Sequence, residues 1–226
     1  MNRLDELIDQ LADTDDLDRS AAAIGLLETE ASPDWLPVLH EIMAMPDEFY
    51  MREGVAPAII RLEGVSALPR LIDALRLGFA EGEDCDGLQA YVSDLIKSDP
   101  VASSSILLPL AESSDSADRS DAAWLLGFVH EAVPPTVFLR LAADESPRVR
   151  DSACGSLALF KGHEPAYQML VQRLDDPDED VRISAMSSLG YFGDSRALPV
   201  LQSLRGRVSE RGQRLLDQSI SFLTRT

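Results

Sequence analysis

One pattern recurs along this chain at a period that leaves little choice of architecture. Val181-Arg182-x-x-Ala185-x-x-x-Leu189-Gly190 is matched upstream by Val149-Arg150-x-x-Ala153-x-x-x-Leu157 and by Arg119-x-x-Ala122-x-x-x-Leu126-Gly127. It returns as Met51-Arg52-x-x-Val55-x-x-x-Ile59 and Arg19-x-x-Ala22-x-x-x-Leu26. The arginines stand 33 residues apart (19 to 52), then 31 (119 to 150) and 32 (150 to 182); the 67 from 52 to 119 is two periods, so one degenerate unit fills that gap. A period of this size marks stacked supersecondary units, none of which can bury its apolar face alone.

Within a unit, offsets of 0, +3 and +7 from the arginine fall on one face of a 3.6-residue helix. A second apolar run follows after a short break, so each unit reads as a helical hairpin. Ala197-Leu198-Pro199-x-Leu201 and Ala67-Leu68-Pro69-x-Leu71 start their second helices at the same distance from the arginine, and Trp35-Leu36-Pro37-x-Leu39 does so with one residue inserted. Proline is tolerated there because a first helical turn leaves its missing N–H without consequence. Asp13, Asp144 and Asp176, six residues before their arginines, read as helix caps, and Pro147 and Pro177 reinforce the boundary.

The expectation is an all-α, right-handed α-solenoid of about six hairpins in a single domain, 1–226, with the second helices lining a concave face. A capping helix falls near 2–12, and hairpins near 13–44, 46–78, 83–112, 115–142, 145–174 and 177–205. A terminal helix falls near 208–224. Gly78 to Gly87 is the expected flexible connection.

Charge narrows the partners. With 39 acidic against 20 basic residues the net charge is -19, which opposes nucleic acid, because phosphate binding depends on Lys and Arg displacing counterions. A basic protein is the natural complement. Acid is concentrated in residues 1–50, with 13 carboxylates against Arg3 and Arg19, while residues 201–226 carry five arginines against Glu210 and Asp217. No apolar run approaches the roughly 18 residues of a membrane helix, and the acidic start lacks the pattern of a signal peptide. Cys85 and Cys154 stand far apart without metal-type spacing, so the expected compartment is a reducing cytoplasm.

The run Asp176-Pro177-Asp178-Glu179-Asp180-Val181-Arg182, with Leu189-Gly190-Tyr191-Phe192-Gly193-Asp194 and Ala197-Leu198-Pro199-x-Leu201, resembles a HEAT repeat of the subtype found in bacteria and in phycobilisome lyase subunits. The resemblance is specific for fold and poor for function. It implies a protein-binding module, with chromophore lyase or another modification factor as the alternative. His40-Glu41, His130-Glu131 and His163-Glu164 resemble the His-Glu pairs of deoxyhypusine hydroxylase. There the pair follows the repeat arginine, whereas the matching residues here are Glu53-Gly54, Ser120-Asp121, Asp151-Ser152 and Ile183-Ser184. No metal or other cofactor is therefore expected. Nor do a nucleophile elbow, a phosphate loop or a zinc-protease motif occur, so no catalytic residue is assigned.

Arg19, Arg52, Arg119, Arg150 and Arg182, recurring at one position, are expected to form a structural ladder, pairing with acids or carbonyls of a neighbouring hairpin. The candidate partner-binding residues are aromatics that break the pattern. Phe49 and Tyr50 replace Pro147-Arg148 and Glu179-Asp180, and Trp124 replaces Gly155 and Ser187. With Asp34, Asp47 and Glu48 they suggest an acidic N-terminal site for a basic partner, of the kind an inhibitor or immunity-type protein would use.

Overall fold

The computed structural model describes residues 2–13 and 15–224. These residues are all helix, turn and loop, with no strand among them. They fall into two compact units, Met1–Ser103 and Ser104–Thr226.

In the first unit, α1 (Arg3–Leu11) opens with a capping box. The Asn2 side chain accepts from the Asp5 N–H at 3.0 Å and the Asn2 N–H donates to the Asp5 carboxylate at 3.1 Å. Its Leu4, Leu7 and Leu11 are buried, as the 3- and 4-residue spacing requires. Two hairpins follow: α2 (Leu17–Glu30) with α3 (Leu36–Met43), and α4 (Phe49–Glu63) with α5 (Leu68–Glu81). Next come α6 (Asp86–Ser98) and α7 (Pro100–Leu107), the latter running past Ser103.

The second unit repeats the plan with α8 (Ser116–Leu125) and α9 (Pro135–Leu141), α10 (Pro147–Leu157) and α11 (Glu164–Arg173), and α12 (Glu179–Phe192) and α13 (Ala197–Gln202). The helix α14 (Glu210–Thr224) closes it against α12. Ala122 and Leu126, Ala153 and Leu157, and Ala185 and Leu189 are all buried, so in the second unit the +3 and +7 positions form the core face. Small residues let the first helices approach closely. Ser156 Oγ donates to the Ala123 carbonyl at 2.6 Å and Ser188 Oγ to the Cys154 carbonyl at 2.9 Å, stitching each first helix to the one before it.

Three expectations need correction. In the first hairpin the repeat register is displaced by one residue: Ala22 is exposed and Leu26 half-buried, while Ser20, Ala23 and Leu27 are buried, so Arg19 stands one position off the ladder. Asp13, Asp144 and Asp176 are not caps; Asp16 and Asp178 cap α2 and α12, and Asp115 caps α8. The aspartate six residues before the arginine instead folds back in an Asx turn, Asp144 accepting the Ser146 N–H at 2.9 Å and Asp176 the Asp178 N–H at 3.0 Å. Nor is Gly78–Gly87 a loose loop. The helix α5 continues to Glu81 and ends on Gly82 at φ 80°, a left-handed cap that suits glycine, and Cys85 is buried against Gly78.

Candidate functional site

The arginine ladder is the most regular polar feature. Arg119 Nε and Nη2 donate to Asp144 at 2.7 and 2.9 Å, while Nη1 reaches the carbonyls of Ser113 and Ser114. Arg150 does the same one unit on, donating to Asp176 at 2.8 and 2.7 Å and to the carbonyls of Asp144 and Glu145, both at 2.9 Å. Each guanidinium thus binds the loop that starts its own hairpin and the carboxylate that starts the next. This fork geometry suits arginine and not lysine. Hydrogen bonds from Arg119 hold Asp144 below the usual carboxylate range. Burial opposes ionisation of Asp176, yet hydrogen bonds from Arg150 and from the Asp178 N–H prevail and lower it too.

Arg52 is fully buried and pairs with Glu81, and it also donates to the Met45 carbonyl. Arg19 is exposed and pairs within its own hairpin, with Asp13 at 3.1 Å. Arg182 keeps the two carbonyl contacts, to Asp176 at 2.7 Å and Pro177 at 2.9 Å, and forms no ion pair among the described residues.

The residues singled out as a partner site lie on the α3–α5 part of the first unit, except Trp124. Asp34 is exposed in the 3-10 turn Pro33–Trp35. Asp47 and Glu48 are exposed just before α4. Asp47 has φ 57°, a left-handed conformation that aspartate tolerates better than most side chains, and its N–H donates to Glu81 at 2.8 Å. Tyr50 is 52% exposed. Phe49 departs from the solvent-facing place its repeat position suggested, because Gly78 on α5 leaves a hollow for its ring. A side-chain carbon at Gly78 would come within 3.2 Å of that ring. Arg52 lies over the same ring, 5.7 Å from its centre. Trp124 is half-buried on α8 and meets Phe128 edge-on at 5.8 Å.

The sequence reading missed two exposed apolar neighbours, Met45 and Phe79. The signal for Phe79 was present, since Gly78 occupies the buried position of α5 and Phe79 falls beside that face.

The histidines do not converge. His40 on α3 faces Glu63 at 2.9 Å and Arg70 at 3.2 Å, His130 bonds the Gly127 carbonyl, and His163 caps α11. No group of three or more His, Cys, Asp or Glu among the described residues could hold a metal ion. Both cysteines are free and buried. Burial pushes the Cys154 thiol up to about 12 and raises Cys85 as well. Glu53 is raised above the usual carboxylate range by burial and then by Asp84, and it packs over Gly87. No helix among the described residues is long and apolar enough to cross a membrane.

Stacked helical hairpins tied by buried arginine–carboxylate rungs define an all-α repeat protein. Residues 104–180 and, overlapping them, 134–214 match the HEAT repeats, and this segment of the chain belongs to that family. Among curated proteins, phycocyanobilin lyase subunit alpha of a Picosynechococcus strain is 36% identical over 103 residues, 42% of this chain and 38% of that protein. The chain therefore spans well under half the length of that relative. Among solved structures, the Escherichia coli protein YibA is 17% identical with a TM-score of 0.43, over 100% of this chain and 93% of that one. An engineered protein is 18% identical at a TM-score of 0.44, over 100% and 98%. Human deoxyhypusine hydroxylase in complex with glycerol is 13% identical at 0.38, over 99% and 96%.

Proposed function

We propose that this chain is a non-enzymatic protein-binding module that takes a basic partner on the acidic α3–α5 surface of its first unit, in the manner of an inhibitor or immunity-type protein in a reducing cytoplasm. The observation that carries this reading is the exposed Tyr50 beside Asp47 and Glu48, with exposed Met45 and Phe79 on the adjoining segments. Exposed Met45, Tyr50 and Phe79 supply an anchor, and the Asp47 and Glu48 carboxylates beside Tyr50 supply a field that attracts a cation-rich surface. Trp124 is an outlying anchor on the second unit. A HEAT-repeat framework suits such a role, because hairpin faces vary without disturbing the rungs that hold them together.

The test is affinity capture with the purified chain from its native lysate, in low salt and again near 1 M, where the Debye length falls from roughly 10 Å to about 3 Å. A stoichiometric basic protein, captured more slowly in high salt, supports the reading. Capture of an acidic protein, or of none, removes it. The relative among phycocyanobilin lyase subunits favours a second reading, in which the chain is part of a chromophore-attaching factor. It predicts a coloured or covalently modified product in the same experiment. Burial of Cys85 and Cys154, with both thiols shifted away from the thiolate, weighs against either one carrying the chromophore.

A further inference from the structure

The arginine ladder of the second unit stops one carboxylate short. In its two filled rungs the carboxylate lies 25 residues (Arg119 to Asp144) or 26 residues (Arg150 to Asp176) beyond the guanidinium. At those distances beyond Arg182 stand Arg207 and Val208, a cation and an apolar residue. Arg182 retains both loop carbonyls on Nη1, so its guanidinium is held in the ladder orientation, and no side chain among the described residues replaces the missing acid. A groove of about 280 Å³ opens at this place, lined by Arg182, Arg207 and Asp175 over the buried Leu174, Met186 and Leu204 and the half-buried Val208. The Arg207 side chain makes no hydrogen bond or ion pair among the described residues and is exposed. Gly206, at φ 73°, turns the loop that carries it.

We infer that this groove is a receptor site for an aspartyl turn of another polypeptide, whose carboxylate completes the open rung on Arg182 with Arg207 as a second cation. The filled rungs define the ligand. Asp144 and Asp176 each offer the guanidinium two oxygens while one of those oxygens accepts an N–H two residues on, so what arginine receives is a carboxylate already folded into an Asx turn. Asp175 borders the groove and Glu179 borders the recess beside it, and both oppose an anion. The filled rung tolerates the same situation: Asp178 and Asp144 both act on Arg150, yet Arg150 takes Asp176 in both oxygens. Bidentate geometry at short range outweighs acids that lie farther off. This site is independent of the basic-partner surface proposed above, and neither proposal needs the other.

The probe is the chain's own turn as a blocked peptide, Asp-Asp-Pro-Asp-Glu-Asp, corresponding to residues 175–180. It is titrated into the whole protein while the arginine Nε–H resonances are followed by NMR. Saturable shifts of Arg182 and Arg207 are expected. A peptide with Asn at its second position should bind about tenfold or more weakly, as loss of one partner of a charge pair requires. Arg207→Gln, at an exposed position outside the ladder, should weaken binding about as much with unchanged melting temperature. Val208→Asp should place a carboxylate where the rung lacks one, abolishing peptide binding while raising the melting temperature. No saturable shift at about 1 mM peptide would overturn the proposal, since that corresponds to affinity weaker than about -4 kcal/mol. So would equal binding of the Asn peptide, unchanged binding to both variants, or the same shifts from sodium malonate at equal concentration, which would mark a small-anion site.

Discussion

Arg150 and Asp176 meet with two parallel N–H···O bonds, and both side chains are buried, the aspartate with 4% of its surface exposed. Taking two charges from water is costly, and the cost is recovered only where every donor and lone pair finds a partner. Here both Nη1 donors of Arg150 meet carbonyls, while Asp176 also accepts from Arg173 and from the Asp178 N–H. The pair ties α10 to the loop before α12, so it fixes the spacing between units more than it adds to any one of them.

Asp176→Asn should therefore be among the most damaging single changes in the second unit. It keeps a side chain that can form the Asx turn but leaves two guanidinium groups, of Arg150 and Arg173, facing a neutral amide. A loss of about 3 kcal/mol is expected. Arg182→Gln removes only hydrogen bonds to carbonyls at the open end, and about 1 kcal/mol is expected there. Urea unfolding of both variants checks the difference, with unchanged slopes showing that stability and not compactness has moved.

The acid limb of stability follows from the same rungs. Asp144 and Asp176 are held below their ordinary value of 3.8 in the folded chain. Their contribution is complete above that value and is lost as pH falls through it towards the lower folded values. Glu53 works in the opposite sense. Its folded-state value lies above 4.5, so it favours folding while protonated and ceases to do so as pH rises past 4.5. Glu53→Gln should raise the melting temperature near pH 7 and leave it unchanged near pH 4, whereas Asp176→Asn should flatten the decline on the acid side.

Glycines on two first helices offer a matched pair of tests. A side-chain carbon at Gly190 would stand 2.8 Å from the Ser219 Cα, so the backbone of α14 would have to move. Gly190→Ala should destabilise the second unit and speed amide hydrogen exchange at the buried Leu216 and Ile220 of α14 before it does so in α10. At Gly155 nothing lies within 4 Å, and Gly155→Ala should stabilise by about 0.5–1 kcal/mol through helix propensity alone.

The helices were legible because their cause is local. Arg, Ala and Leu at 0, +3 and +7 specify one buried face in the units of Arg119, Arg150 and Arg182, whereas in the first hairpin the same spacing read from Arg19 is one residue out, the buried set being Ser20, Ala23 and Leu27. The rungs were only half legible. Arginines recurring at one period announced a ladder, which Arg19 does not join; the partner of Arg150 lies 26 residues on, and an aspartate before a helix looks like a cap unless the preceding unit is known to reach it. Phe49 shows the same limit: its repeat position suggested solvent, and the hollow that receives it depends on Gly78, in another helix. Tyr50 needed no distant residue, and its exposure followed from position alone.

This contrast between neighbours yields a test of the basic-partner surface that separates binding from folding. Phe49 lies over Gly78 and near Arg52, so Phe49→Ala should lower the melting temperature of the first unit whatever it does to binding. Tyr50 and Phe79 are 52% and 47% exposed, and their removal should leave stability within the range usual for surface changes. If they anchor a basic partner, Tyr50→Ala and Phe79→Ala should each raise the dissociation rate, by about 2 kcal/mol for a true hot spot. The charges act at an earlier step. Asp47→Asn preserves the left-handed turn, Glu48→Gln preserves shape, and together they should slow association in low salt while leaving dissociation unchanged. Surface plasmon resonance with the captured partner reads both rates. Unaltered rates in all three variants, with intact melting temperatures, would move the basic-partner site away from this surface.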